Sequence, residues 1–239
     1  MEPRFAYLWI NVGSLALPLI FSFDRRVAFA SRYRNWMPAL LCTAVVFILW
    51  DVGKTRLGAW GFNPRYITGF RLDVLPWEEV LFFFTVPYAC LFIYACVQRY
   101  FPGARLCASP AFWRVAGLLS AVVAWVMRSK MYTAITLAYA SGLFFLCSFL
   151  SGRLGHFPLA YLLHLIPFFI VNGLLTALPV VTYNPDEILG LHLGTIPVED
   201  ALYSLNLFLT NVVLYEWLMT RVPGKHNGRN FGPAVASHT

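Results

Sequence analysis

The sequence predicts an all-α polytopic membrane protein of seven transmembrane helices, built as two parallel three-helix repeats joined by a connecting helix. Three observations lead to that expectation. The chain of 239 residues is 59% hydrophobic and only 12% charged, whereas soluble domains are about 45–50% apolar. Its apolar residues gather into seven segments close to the roughly 20 residues that a membrane-spanning helix needs. One polar-edged stretch also recurs, ungapped, 121 residues further on, from 63 to 184.

Taken in order, the spans are expected at about 5–23, 36–52, 77–98, 111–127, 131–150, 158–181 and 197–220, the second and fourth being the shortest. Charge clusters such as "DRRVAFASRYR" and "QRYFPGAR" lie between spans. Pro18, Pro87 and Pro167 fall inside spans, where neighbouring helices can satisfy the freed carbonyls. No cleavable signal peptide is read at the start, so the first apolar segment is expected to be the first span. The result is a single membrane domain over 1–220 (repeat one 1–98, connecting helix 111–127, repeat two 131–220), followed by a polar tail at 221–239.

The net charge of +7 resides in short loops and needs no nucleic acid to explain it. Eleven Lys and Arg residues fall on one side of the spans and seven on the other. The richer side is expected in the cytoplasm, which puts the N-terminus outside and the C-terminus inside, in the cell (inner) membrane. Cys42, Cys90, Cys96, Cys107 and Cys147 form no C-x-x-C pair and read as small apolar residues, with no metal site.

The recurring stretch sets "NPRYITGFRLDVLPWEEVL" (63–81) against "NPDEILGLHLGTIPVEDAL" (184–202). Asn63, Pro64, Ile67, Gly69, Leu72, Pro76, Glu78 and Leu81 each meet an identical residue, and upstream Asp51 meets Asn172. Such matching points to duplication. A single connecting span keeps the two units in the same direction, about an axis along the membrane normal.

Each unit presents Pro-x-Glu-Glu/Asp at the start of a helix: Glu78 and Glu79, then Glu199 and Asp200. Proline suits a first helical position, and acids in the first turn suit the positive end of the helix dipole. These acids could therefore be helix-start residues and nothing more. Acids within a membrane are nevertheless functional by default, and the repeat would bring Glu78 and Glu199 to one central cavity. Thr85 and Asn206, seven residues after those two acids, are expected on the same faces, one or two turns deeper. Asp51 and Asn172 are expected beside the acids as hydrogen-bonding partners. The aromatic residues at this end, among them Trp77, Phe82 and Tyr203, form an interfacial belt or a cation-stabilising wall. His164 reads as a packed histidine rather than a ligand.

The paired motifs "PWEE" and "PVED", on a small duplicated polytopic chain, resemble the integral-membrane lycopene cyclases, of archaeal and fungal type and related to the heterodimeric bacterial cyclases. The resemblance covers nearly the whole chain. It implies a carotene substrate such as lycopene and closure of one or both acyclic end groups into a six-membered ring. The steps would be protonation, cation cyclisation and deprotonation, with no net redox change. It makes Glu78 and Glu199 the first candidates for proton transfer, with Glu79 and Asp200 next. It implies no cofactor, and the chain lacks the G-x-G-x-x-G that a flavin-dependent cyclase would carry.

Seven spans also suggest a retinal protein, but Lys54, Lys130 and Lys225 are read as lying outside the spans, leaving no Schiff-base lysine in the last one. A small parallel-repeat transporter and a non-catalytic carotenoid-binding protein stay open as alternatives. The ring isomer, the number of ends closed and the oligomeric state are not legible in these residues.

Overall fold

The computed structural model describes residues 2–220; the polar tail expected at 221–239 lies outside the described residues. The chain is mostly helical. Its helices are α1 (Ala6–Phe21), α2 (Tyr33–Arg56), α3 (Trp77–Tyr100), α4 (Pro110–Val126), α5 (Met131–Leu150), α6 (Phe157–Ala177) and α7 (Val198–Thr220). Two loops add short strands: β1 (Trp60–Phe62), β2 (Arg71–Leu72) and β3 (Leu75–Pro76) before α3, and β4 (Val181–Tyr183), β5 (His192–Leu193) and β6 (Ile196–Pro197) before α7.

Five helical segments are long and apolar enough to cross a membrane: 3–21, 30–56, 77–100, 131–150 and 154–177. The expected fourth and seventh spans differ from these for separate reasons. Helix α4 has 17 residues, about 25 Å at 1.5 Å per residue, short of a hydrocarbon core of roughly 30 Å. It lies against α5, where Gly117 allows close approach: an added Cβ would stand 3.2 Å from the Phe145 ring and the Ser141 carbonyl. Helix α7 has 23 residues but includes Glu199, Asp200 and Glu216. Fifteen of its residues are buried, because it packs against α2, α3, α5 and α6. Its surroundings are protein rather than lipid, so low hydropathy is no obstacle.

Two boundaries move from their expected places. Helix α2 continues to Arg56, one turn beyond the apolar run. Helix α6 stops at Ala177, just ahead of Pro179, which disfavours helix in the residue before it; the following residues become β4. The Pro87 carbonyl in α3 accepts from the Asn211 amide of α7 at 2.8 Å, and Asn211 in turn accepts from Thr43 of α2.

The loops before α3 and α7 take the same local structure. In each, an Asn side chain (Asn63, Asn184) accepts from the backbone N–H two residues on. Gly69 and Gly190 follow with φ of 93° and 76°, a conformation that glycine adopts freely. A two-residue hairpin and a proline then lead into the helix. Strands β1 and β4 pair antiparallel, with Gly61 opposite Thr182. Flanking that pair, Asn63 N–H donates to the Val180 carbonyl and Asn184 N–H to the Ala59 carbonyl. Each of these bonds is the image of the other at an offset of 121.

Candidate active site

Beneath the β1–β4 pair, a groove runs between α1 and α3 on one side and α6 and α7 on the other. Glu79 and Asp200 line it at the end nearest the strands, together with Tyr7, Asn172 and Tyr183. From there its wall follows α3 through Phe82, Val86 and Ala89 to Ile93, about 20 Å along the helix. Apart from Ser14, His164 and Ser204, the deeper wall is apolar.

The two carboxyl groups are held differently. Asp200 accepts from Tyr132 at 2.7 Å on one oxygen, and from Asn172 at 2.8 Å and Tyr183 at 2.5 Å on the other. Glu79 accepts from the Tyr7 hydroxyl. Burial and the nearby Asp200 charge push the Tyr183 phenol well above its ordinary range, so it stays a donor. Tyr7 and Tyr132 hold equivalent places, as do Glu79 and Asp200, yet the tyrosines are 125 residues apart and the acids 121.

Behind the acids lies a buried lysine. Lys54, in the last turn of α2, is 1% exposed. Its ammonium is 4.0 Å from Asp51 and interacts electrostatically with Asp200 and Glu79. It stands 3.6 Å from the centre of the Trp60 ring, 3.9 Å from Tyr203, 4.8 Å from Tyr132 and 4.9 Å from Trp50. Such an aromatic cage suits a desolvated cation.

A lycopene cyclase family model matches residues 4–97 and 129–218. The chain belongs to the lycopene cyclase family. The two matched stretches lie close to the three-helix units expected from the sequence at 1–98 and 131–220. Neither the curated proteins nor the solved structures gave a match.

In this cyclase-family chain the structure distributes the sequence candidates unevenly. Glu79, Asp200, Phe82, Tyr203 and Asn172 line the groove. Glu78 and Glu199, ranked first from the sequence, do not meet there. Glu78 accepts from the Thr68 backbone N–H and hydroxyl, both at 2.7 Å. Glu199 accepts from the Leu189 N–H at 2.7 Å and the Thr133 hydroxyl at 2.6 Å. Each fastens its loop to its helix, because successive residues in a helix point about 100° apart and only the second acid of each pair turns inward. The other carboxyl oxygen of each is buried without a hydrogen-bond partner among the described residues.

Trp77 likewise belongs to the loop, where its indole donates to Thr68 at 2.7 Å. Thr85 and Asn206 do not reach the groove. Thr85 donates to Asn11, and Asn206 donates to the Thr136 carbonyl, so both tie neighbouring helices together. Asp51 sits beside Lys54 rather than hydrogen-bonding an acid, whereas Asn172 donates to Asp200.

Lys54 corrects the sequence reading, which placed it outside the spans; α7, the last helix, still has no lysine. His164 is packed, as expected, but on the groove wall, with one ring nitrogen 2.7 Å from the Ser204 hydroxyl. The sequence reading missed Tyr7, Tyr132 and Lys54. The i,i+3 spacing of Asp51 and Lys54 was the available signal for the lysine.

Proposed function

We propose that the protein is a redox-neutral carotenoid cyclase, an isomerase of the intramolecular-lyase type, that closes an acyclic end group of lycopene or a related carotene in the membrane. The observation behind this reading is the pair Glu79 and Asp200 at one end of an otherwise apolar groove. A carotene end needs a greasy channel to reach the acids, and the chemistry needs one acid and one base within reach of the same few carbons.

In this reading Glu79 holds the transferable proton. Its hydrogen bond from Tyr7 occupies one oxygen and leaves the other for substrate. The Glu79 proton adds to the terminal double bond and leaves a tertiary cation. The electron pair of the neighbouring double bond forms the carbon–carbon bond that closes the ring, moving the positive charge into it. Asp200, kept in place by three donors, takes a proton from a ring carbon and restores a double bond. The proton returns to Glu79 between turnovers, so atoms and electrons balance with no oxidant or reductant. The face of Phe82 stabilises the transient cation without reacting with it, while Trp60 and Tyr203 face Lys54. Lys54 does not repel the cation unopposed, since Asp51 stands beside it.

The same reading takes the two three-helix units as parallel repeats about an axis along the membrane normal, each giving one acid to the groove. The reciprocal bonds of Asn63 and Asn184 support it. It keeps the N-terminus and the site end outside the inner membrane and the C-terminus in the cytoplasm.

The test is expression in lycopene-producing bacteria followed by pigment analysis. Rings are expected with the intact chain. With Glu79→Gln or Asp200→Asn, the rings should disappear at unchanged membrane levels of protein. Lycopene retained by the purified intact chain but left unchanged would make it a binder instead. Because the reaction moves a proton and no electrons, purified protein in lipid should turn over without NADPH or reduced flavin; an absolute need for either would oppose the mechanism.

A further inference from the structure

The groove has a counterpart in the other half of the molecule, and that counterpart is filled. Offsets of 121 for α2–α3 onto α6–α7, and of 125 for α1 onto α5, map the walls residue by residue. On the groove side stand Val171, Ser14 and Ser204; their counterparts are Trp50, Tyr139 and Phe83. Each of these three is replaced by a ring. Trp50 and Tyr139 lie 4.6 Å apart between ring centres, and both pack on Phe47, at 5.3 and 5.6 Å. Phe83 is fully buried, 6.4 Å from Phe47. Leu175, on the groove wall, has Lys54 as its counterpart, and the Lys54 ammonium occupies the aromatic cage there. The helices agree with the side chains: α2 packs extensively along α7, while its counterpart α6 stands further off α3 and leaves the opening.

From this asymmetry we infer that the protein has a single working groove, its partner being closed by Trp50, Tyr139 and Phe83, so that each binding event cyclises one end of the carotene. The second end can react only after the product leaves and re-enters by its other end. This rests on the cyclase reading above. The two acids come from both halves, but the apolar channel leading to them is built once, so two ends cannot be held together.

The wild-type time course tests this. Protein in liposomes with a large excess of lycopene should release free monocyclic carotene first. Any bicyclic product should lag and should draw on that free pool, so that added unlabelled monocyclic carotene dilutes isotope in the bicyclic product. A monocyclic product that never advances also supports the inference. Bicyclic product formed from the first turnovers without exchange with the pool would overturn it. No ring at all would instead overturn the cyclase reading itself. A second arm copies the plug into the open groove: Val171→Trp should lower turnover at least tenfold without reducing the amount of folded, detergent-soluble protein. Turnover kept by the folded variant would show that this groove is not the working one.

Discussion

At the scale of single residues, the four acids divide by what they touch. Glu79 and Asp200 face a greasy groove, and proton transfer by a positioned side chain is worth about 10²–10⁴-fold in rate. Glu79→Gln should therefore lose at least about 100-fold, measured as rings formed per unit of inserted protein. Glu78 and Glu199 face their own loops. Glutamine at either position keeps a carbonyl oxygen for the Thr68 or Leu189 N–H, so Glu78→Gln and Glu199→Gln should retain most of the activity. Glu78→Ala loses both bonds to Thr68. Hydrogen bonds to charged groups contribute about 1.5–3 kcal/mol each, so the alanine variant should unfold at a clearly lower temperature in detergent. Loss of turnover in a well-folded Glu78→Gln protein would move Glu78 into the chemistry and reverse this division. Tyr7→Phe removes the hydroxyl that donates to Glu79 and should slow turnover by about 10–100-fold, the equivalent of one such bond.

At the scale of elements, what was legible followed from where the repeat is ungapped. Residues 63–81 and 184–202 align without insertion, so their two helix starts with their acids were visible as a pair, and the pairing of Asn172 with an acid followed; the short hairpins before them were not. The first helix of each unit was not visible in that alignment. The loop joining α1 to α2, residues 22–32, is longer than the loop joining α5 to α6, residues 151–156. The offset there becomes 125, which hid the equivalence of Tyr7 with Tyr132. Lys54 was hidden for another reason: hydropathy ends the second span near residue 52, while the helix goes on to Arg56 and folds the ammonium under Trp60 and Tyr203. The order of the adjacent acids was not legible because period and composition cannot say which side of a helix start turns inward. The burial of Lys54 has its own consequence. Lys54→Met leaves Asp51 buried and unpaired, and breaking a buried pair from one side typically costs about 3–5 kcal/mol. The double variant Lys54→Met with Asp51→Asn should recover much of that loss in thermal unfolding. Equal destabilisation by single and double variants would mean that the two groups do not act as a pair.

At the scale of the whole molecule, the arrangement places both groove acids at one end of the bundle. The N-terminus, the β1–β4 pair, the starts of α3, α5 and α7 and both acids share that end, while the loops after α1, α3 and α5 share the other. By the sequence expectation, the side bearing the acids has seven Lys and Arg residues against eleven on the other, and a richer side is the one a bilayer favours in the cytoplasm. In the orientation proposed above, the acids open toward the non-cytoplasmic side, under the cover of the paired strands. A single cysteine at Arg65, an exposed position in the loop before α3, reads this directly when the five native cysteines are removed. Arg65→Cys should react with a membrane-impermeant maleimide in intact cells, whereas a lone Cys107, exposed in the loop after α3, should react only after the membrane is opened. The reverse pattern would put the carboxyl groups on the cytoplasmic side. Labelling of both positions in intact cells would mean that the chain inserts in two orientations, which the modest charge difference alone would then have failed to prevent.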